Sequence, residues 1–518
     1  MNILAGITRH SHAWEQLLKR EGLPWRCVDL SGGEGLAECS VVIVTNALDA
    51  AERDCIEQYL RGGGAVLGFA RHLTGVGGTS GRRAPLQRLM SDGDPVFPSL
   101  RVVDLGCEGY LPREANRLRT HLDQHALFAG GLLGGAAVLL PFDVQRALVD
   151  TRTTSKAFYA HWDRLPTELV SVVSRGEIFQ LCHHALEYLH VSRSIPYVHL
   201  WYFPETAGNV LGFRIDTDGA PRHDIDALYG VLQNAGVAGT WFLDVAAHEP
   251  WLPHFSTLSG QELGVHCYEH RLDPDPDRQR AQWNRALAMM RQAGFSPIGV
   301  AAPYGTWTPA LGDVIDGLGL LYSSEFSCAY DTLPLFPEVH GRVFRTLQVP
   351  IHPISIGSLR RAGATSQQMT EYYRFTIDAH WARDIPLIFY HHPTHRHWDV
   401  IDAILERGRS LNAVPMRLGD WAQWWLSRAA MEMGFDVRES VLRVSNAAAL
   451  AKARVGIRVA LTPEHTLLLS PQETILLDSR EGTSRPRAQI PDDLHRIRET
   501  DPRRLLGDLY TAILRRLK

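Results

Sequence analysis

The sequence predicts an α/β fold: a central domain of alternating strands and helices, preceded by an α/β domain with a parallel sheet and followed by a small mainly-β module. Three observations support this prediction. Short apolar runs alternate with helical patterns through most of the chain, polar motifs follow the apolar runs of its middle third, and the last part changes to closely spaced β runs. With 518 residues, the chain has room for several domains. We expect them at 1–195, 199–430 and 436–518.

The first domain alternates strands with helices. The predicted strands are 2–6, 41–45 and 65–69, and the predicted helices are 13–21 and 51–61. Such alternation with short connections is typical of a parallel sheet covered by helices. The stretch QYLRGGGAVLGFARH resembles class I glutamine-amidotransferase-like domains, but no cysteine follows Leu67 and Gly68, where those domains carry their nucleophile. We therefore interpret this domain as a scaffold.

The last part of the chain changes pattern after about residue 435. Short β runs at 440–445, 453–461, 465–469 and 474–477 predict a small antiparallel module. The final stretch, DPRRLLGDLYTAILRRLK, has leucines and an isoleucine on one helical face and basic residues over much of the rest. Such a helix can touch an anionic membrane surface or dock on its own protein, and we favour docking.

Composition excludes several classes of function. Hydrophobic residues make up 45% and charged residues 21% of the chain, as in soluble globular proteins. The net charge of -4 and pI near 6.7 favour no nucleic-acid partner. The seven cysteines are scattered without a CxxC pair, and the first residues do not form a signal peptide. We expect a cytoplasmic protein, and the pattern does not indicate its oligomeric state.

Two carboxylates end the apolar run NVLGFRI in the middle domain, at Asp216 and Asp218. Side chains alternate in an extended chain, so both project the same way. Such a pair suits a site in which one carboxylate binds a metal and the other moves a proton, although by itself a DxDG turn is more often structural.

Histidines form two further groups in the same domain. His266 and His270 are four residues apart and share one face of a helical turn, a spacing suited to binding one ion. The HExxH pattern of zinc proteases is absent, because Glu269 directly precedes the second histidine. His391 and His392 follow the strand-like run PLIFY, where a histidine facing a cleft can act as a general acid.

The order of these groups resembles the polysaccharide deacetylase family, carbohydrate esterase family 4. FRIDTDG is similar to the family's Asp-Asp-Gly motif, and GVAGTWFL at 236–243 to its G-x-x-A-T-F-F strand. ELGVHCYEH at 262–270 matches E-[IL]-G-x-H-[ST]-x-x-H closely. After a predicted helix at 279–294, AAPYG at 301–305 is similar to R-x-P-Y-G, and LIFYHHP to the family's final strand ending in histidine. The resemblance covers the middle domain alone.

This resemblance implies that the central domain is a distorted (β/α) barrel with a single divalent metal ion, most often zinc. The implied ligands are Asp218, His266 and His270. A face of two histidines and one carboxylate leaves positions open for water and substrate.

The resemblance also implies the catalytic groups. Asp216 is expected to be the general base for a metal-bound water that acts as nucleophile, and the backbone N–H of Tyr304 to stabilise the oxyanion. The histidine after the last strand is expected to protonate the leaving amine; we favour His392 and keep His391 as the substitute.

Two departures from the family affect these roles. Thr217 separates the two aspartates, so a strict alignment from Asp218 puts Thr217 at the base position, whereas a one-residue bulge would restore Asp216. Ala301 stands where the family has an arginine that pairs with the base, and loss of that cation is expected to raise the base's pKa. Arg214, two residues before Asp216, is the candidate replacement.

Substrate contacts are expected from Arg214, Pro303 and Trp307. Trp307, Phe326 and Tyr330 either line a sugar or acetyl pocket or pack in the core. We expect metal-dependent hydrolysis of the N-acetyl group of an amino sugar in an oligosaccharide, a nucleotide sugar or a lipid-linked intermediate. The alternatives are hydrolysis of a non-sugar amide and a non-catalytic protein that binds carbohydrate or metal.

Overall fold

The computed structural model of the protein describes residues 1–31, 35–91, 93–158 and 166–477, together with residue 506. The fold is mixed α/β, as the sequence predicts. The predicted C-terminal amphipathic helix lies outside the described residues except for Leu506.

The N-terminal part contains eleven strands and four helices within the described ranges. The strands are β1 (Ala5–Ile7), β2 (Trp25–Cys27), β3 (Val41–Val44), β4 (Ala65–Phe69), β5 (Gly81–Met90), β6 (Val103–Pro112), β7 (Arg117–Thr120), β8 (His125–Leu132), β9 (Gly135–Leu140), β10 (Thr153–Ala157) and β11 (Thr167–Ser171). The helices are α1 (His12–Glu21), α2 (Ala50–Arg61), α3 (Val144–Leu148) and α4 (Arg175–Val191).

The first nine of these strands form one sheet in the order β2-β1-β3-β4-β9-β8-β7-β5-β6. The half from β2 to β9 is parallel, as predicted, and its strand β3 is apolar and buried throughout because helices cover both faces. The half from β9 to β6 is antiparallel, which the sequence analysis did not predict. Its strands β6 to β9 follow each other through short turns, and a longer connection without a helix in its described residues joins β5 to β6.

The middle part contains the strands and helices of the predicted barrel. The strands are β12 (Tyr197–Pro204), β13 (Val210–Asp216), β14 (Thr240–Asp244), β15 (Glu262–Cys267), β16 (Gly299–Val300), β17 (Tyr322–Ser323), β18 (Glu338–Val339), β19 (Arg342–Val343), β20 (Leu347–Gln348), β21 (Leu387–His391) and β22 (Val414–Pro415). The helices are α5 (Arg222–Asn234), α6 (Val245–His248), α7 (Pro276–Gln292), α8 (Pro309–Gly317), α9 (Ile356–Arg361), α10 (Ser366–Ala382), α11 (Trp398–Ser410) and α12 (Leu418–Ala429).

The central sheet is a parallel half-barrel in the order β20-β17-β16-β15-β14-β13-β21, with β22 paired to β13. This confirms the predicted distorted barrel. The gap between β20 and β21 is crossed by the segment after β20, whose His352 N–H donates to the Ile388 carbonyl. Because parallel strands end on one side, the carboxyl ends of β13, β14, β15 and β21 meet at one rim, where barrels of this type carry their active sites.

Small antiparallel sheets follow the barrel. Their elements are β23 (Phe435–Arg438), β24 (Val441–Val444), α13 (Ala447–Lys452), β25 (Val455–Thr462), β26 (His465–Leu469) and β27 (Thr474–Leu476). Strand β25 pairs with β12, placing Tyr197 opposite Ala460, and β24 lies between β23 and β27. The antiparallel strands predicted after residue 435 are therefore present, and β25 completes a sheet that begins before the barrel.

Across the part of the chain that the structure describes, no helix combines the length and the apolar character needed to cross a membrane.

Candidate metal centre and active site

The three predicted metal ligands meet at the rim of the half-barrel. His266 lies in β15, His270 in the bend that follows it, and Asp218 in the turn after β13. The prediction that the two histidines share a helical turn is wrong, since the first belongs to a strand. The chain instead reverses after β15 and turns the second imidazole back toward the first.

The ligand atoms form a nearly equilateral triangle. Oδ1 of Asp218 lies 3.1 Å from Nε2 of His266 and 3.2 Å from Nε2 of His270, and the two Nε2 atoms are 3.1 Å apart. No described residue donates a hydrogen bond of good geometry to this buried carboxylate oxygen. Zinc binds imidazole nitrogen and carboxylate oxygen at about 2.0–2.2 Å, so three donors about 3 Å apart fit one shared ion. The arrangement therefore suits a divalent cation.

The orientation of His266 supports the same conclusion. Its Nδ1–H donates to the Ala301 carbonyl at 2.7 Å, which leaves Nε2 to face the other two ligands. Metal-binding histidines usually fix their tautomer in this way. The Trp283 indole N–H donates to the His266 carbonyl at 3.1 Å and anchors the end of the strand from below.

The turn after β13 accommodates the threonine between the two aspartates. The pairing of β13 is regular up to Asp216, so the expected bulge in the strand is absent from it. Thr217 instead uses its hydroxyl to bridge the main chain of β14, donating to the Phe242 carbonyl and accepting from the Asp244 N–H. Asp218 then adopts a left-handed conformation (φ 40°) that swings its carboxylate over the rim. The extra residue is absorbed by this turn.

Arg214 pairs with the predicted general base. Its Nε and Nη2 donate to the two carboxylate oxygens of Asp216 at 2.7 and 2.6 Å, and Nη1 donates to the Ser324 carbonyl. Burial by itself raises the pKa of Asp216, but Arg214 and then His266 lower it below its ordinary value. The expected rise in the base's pKa is therefore wrong, because Arg214 supplies the cation that Ala301 does not.

The same geometry changes the expected role of Arg214. Its side chain has no exposed surface, and its guanidinium lies between Asp216 and Ser324. It cannot contact a substrate directly, so it is a positioning residue for the carboxylate instead of a substrate ligand.

The two adjacent histidines after β21 face different surroundings. Nε2 of His392 lies 3.3 Å from Oδ2 of Asp218, at the edge of the ligand triangle. His391 is fully buried, and its ring packs near those of Phe213 and Trp398. Burial holds the pKa of His391 well below its ordinary value. The structure thus brings His392, and not His391, to the triangle.

The Ala-Ala-Pro-Tyr-Gly segment forms a tight turn beside His270. Tyr304 has a left-handed backbone (φ 62°), its ring is exposed, and the ring lies edge-on to His270 with centroids 5.0 Å apart. Pro303 is buried under the turn, and the Ala302 N–H donates to the buried carboxylate of Glu325 at 3.0 Å. Tyr304 therefore lies at the mouth of the site, and Pro303 lies beneath the turn that carries Tyr304.

The three aromatic residues that were expected either to line a pocket or to pack in the core do not join the triangle. Trp307 is buried, its ring lies edge-on to Phe344, and Gly312 leaves the space that the indole fills. Its expected substrate contact is therefore wrong, since it packs in the core. Phe326 packs against Tyr390, and Tyr330 lies in a separate cavity near Lys156.

Three polar residues near the triangle have no role in the sequence analysis. Asp244 ends β14 and has a buried, unpaired Oδ1, while both ring nitrogens of His248 lack a hydrogen-bond partner among the described residues. The His395 ring lies 4.8 Å from that of His392. Burial raises the pKa of Asp244 and lowers that of His248 to about 4. The signal for Asp244 was available, because it ends an apolar strand as Asp216 does.

Comparison with known proteins gives structural neighbours. No protein family matches the chain by its sequence profile, and no curated protein matches it. A protein from Mycobacterium smegmatis named as a polysaccharide deacetylase is 16% identical (TM-score 0.37), with 46% of this chain and 96% of that chain covered. The PuuE allantoinase is 16% identical (TM-score 0.37), with 43% and 92% covered. A family 4 carbohydrate esterase from Streptomyces lividans is 15% identical (TM-score 0.29), with 40% and 92% covered. Each neighbour thus spans less than half of this chain.

Proposed function

We propose that the protein is a metal-dependent N-deacetylase that hydrolyses the N-acetyl group of an amino sugar. The observation that carries the proposal is the triangle of Asp218, His266 and His270, with Asp216 at the end of the strand that leads to Asp218 and His392 at the edge of the triangle. This set combines the donors for one cation with one base and one acid. The motif resemblance to polysaccharide deacetylases supports the same chemistry.

A divalent cation bound at this triangle would polarise the acetyl carbonyl and lower the pKa of a bound water from 15.7 to about 7. Asp216, kept ionised by Arg214, would accept a proton from the attacking water. The oxygen of that water adds to the carbonyl carbon, and the C–N bond breaks. His392 is placed to give a proton to the departing nitrogen. The products are acetate and the free amine.

Access to the site suits a ligand that approaches from solvent. The side chains of Asp218 and His270 are about one quarter exposed, whereas His266 is buried beneath them. Tyr304 stands at the mouth with an exposed ring, and an aromatic face there can stack on a sugar ring. The site is therefore open on the side where a sugar would enter and closed on the side of the supporting residues.

The test is acetate release from a panel of N-acetylated sugars, nucleotide sugars and short oligomers. The protein is assayed with and without a chelator, beside Asp216→Asn, His266→Ala and the control Asp378→Asn, a half-exposed carboxylate paired with Arg407 on the outer helices. We expect acetate from wild type and the control, loss in chelator, and recovery with added zinc or cobalt. We expect none from the two site variants.

Other outcomes separate the alternatives. Metal bound through His266 without acetate from any substrate would favour a binding protein. A ring-opened product from a cyclic amide, without acetate, would favour hydrolysis of a non-sugar amide. Acetate release that persists in chelator and in Asp216→Asn would overturn the proposal.

A further inference from the structure

A second cluster with the chemistry of a metal site lies away from the rim triangle. Asp331 belongs to the loop after β17, His352 to the segment that crosses the gap in the half-barrel, and His380 to α10. We propose that these three residues form a second binding site for one divalent metal ion of the zinc type. None of them belongs to the first cluster.

The donor atoms of this second cluster converge on one point. Oδ1 of Asp331 lies 2.9 Å from Nδ1 of His352 and 3.5 Å from Nε2 of His380, and the three donor atoms all lie within 4.8 Å of one another. Two imidazoles and one carboxylate are a donor set that zinc and other divalent transition metals prefer. Of the two contacts made by Asp331, one is shorter and one is longer than the sides of the rim triangle.

The surroundings of His380 are the strongest argument for a bound metal ion. Its ring is 1% exposed, and neither nitrogen has a hydrogen-bond partner among the residues that the structure describes. Its ring stacks parallel on Phe389, which fixes its plane. A buried polar group without a partner is unfavourable, and a bound cation would satisfy one of these two nitrogens.

The surroundings orient the other two donors as a metal site needs. Nε2 of His352 lies 2.9 Å from the Tyr372 hydroxyl, so this nitrogen can donate while Nδ1 faces Asp331. Such a contact fixes the tautomer of a metal-binding histidine. Asp331 is held in a left-handed conformation (φ 47°), with the backbone of Gly176 packed closely against its carbonyl.

An entry path is also present. Asp331 and His352 line a cavity of about 440 Å³ between the barrel and β10, with Lys156, Phe158, Tyr330 and Tyr372 on its walls. The Lys156 ammonium is paired with Asp104 at 2.5 Å, whereas the Arg101 guanidinium also lines the cavity and interacts electrostatically with Asp331. Three protein donors beside a cavity leave a position for water or a further ligand.

The experiment measures metal content of the full chain after chelation, reloading with excess zinc and removal of free ions. We expect two zinc ions per chain for wild type, one for the double variant His266→Ala/His270→Ala, and one for His352→Gln/His380→Gln. The control His190→Gln removes a buried histidine whose two ring nitrogens are already hydrogen-bonded, and it should keep two ions. Tyr372→Phe should weaken zinc binding by about 10–100-fold at one site only.

The variant His266→Ala/His270→Ala tests the second site without altering it, so a folding defect in the His352 and His380 variants cannot decide the result. Cobalt bound to that protein should still give a visible absorption band. If it binds no stoichiometric zinc or cobalt, the second site does not exist, and the proposed deacetylase is unaffected. If wild type binds a single ion and only His352→Gln/His380→Gln loses it, the second site is supported. The rim triangle then binds no metal, and the proposed deacetylase activity is not supported.

Discussion

The buried pair of Arg214 and Asp216 makes a quantitative prediction possible. Arg214 has no exposed surface, Asp216 is 3% exposed, and two hydrogen bonds of 2.7 and 2.6 Å join them. In Arg214→Met the carboxylate remains buried without its partner, and breaking such a pair costs about 3–5 kcal/mol. The variant also leaves the Ser324 carbonyl without its donor.

The double variant Arg214→Met/Asp216→Leu separates these effects. It loses the same hydrogen bond to Ser324, but it contains no unpaired carboxylate. Replacing a buried ion pair by apolar residues is often neutral or stabilising. We therefore expect the double variant to recover most of the 3–5 kcal/mol. Denaturant unfolding followed by tryptophan fluorescence, at constant pH, measures both free energies of unfolding.

The pH dependence gives a second check on the same pair. In wild type the pKa of Asp216 is lowered in the folded state, so its stabilisation is present above the unfolded value of about 3.9 and is lost as the pH falls through the folded pKa. In Arg214→Met, burial without a partner raises that pKa, and the variant should gain stability as the pH is lowered. A double variant no more stable than Arg214→Met, together with no recovery at low pH, would refute this reasoning.

Three further predictions concern other parts of the molecule. His392→Gln should lower kcat for acetate release by about 10²–10⁴-fold with unchanged zinc content, because it removes the proton donor and no ligand. His183 is buried against Glu21, and its pKa is raised to about 9. It therefore contributes about 3 kcal/mol of stability, which is complete below about pH 6.5 and is lost as the pH rises through 9. The free energy of unfolding of His183→Gln, measured between pH 6 and 10, should not show this loss. Gly305→Ala should lower the melting temperature more than Gly294→Ala. Both glycines have positive φ, which costs an alanine about 1–2 kcal/mol. Only at Gly305 would the added Cβ also collide with an aromatic ring, that of Phe326.

Each of these three predictions has an outcome that would contradict it. A loss of zinc in His392→Gln would mean that this residue is a ligand. A His183→Gln variant with the alkaline loss of wild type would mean that another group titrates. Equal melting temperatures for the two alanine variants would show that the turn beside the site yields to the added methyl group.

Much of the fold could be predicted because local signals agreed with the tertiary structure. The strand over 65–69 is observed at Ala65–Phe69, and the helix predicted over 279–294 is observed at Pro276–Gln292. These elements combine apolar periodicity with clear turn residues. The antiparallel half of the first sheet was missed, because no strands were predicted between residues 81 and 140, where the structure has β5 to β9.

The ligands of the candidate site were predicted from the sequence, whereas the residues that hold the site in place were predicted less well. Asp218, His266 and His270 stand in motifs whose spacing survives in the sequence, and the structure brings them together. The support of Asp216 by Arg214 depends on side chains two residues apart on one strand face, which the alternation rule allows but does not require. Trp307 was wrongly expected at the site, since its neighbours Phe344 and Gly312 are distant in sequence.

The second cluster could not be predicted from the sequence at all. Asp331, His352 and His380 are separated by about twenty to thirty residues, and none stands in a recognisable motif. Their meeting depends on the segment that crosses the gap between β20 and β21. Because this segment crosses the gap, a loop, the crossing segment and a helix meet at the same point.

The pairing of β12 with β25 has a consequence for the order in which the protein is made. Tyr197 and Ala460 face each other across 263 positions of chain, so β12 leaves the ribosome long before its partner is synthesised. During that interval the barrel can form, but one edge of β12 stays open and can pair with another chain. Closure of this edge is a late, non-local step and is expected to be slow. Nascent chains held by a chaperone until β25 appears should therefore fold in higher yield than chains that are released early.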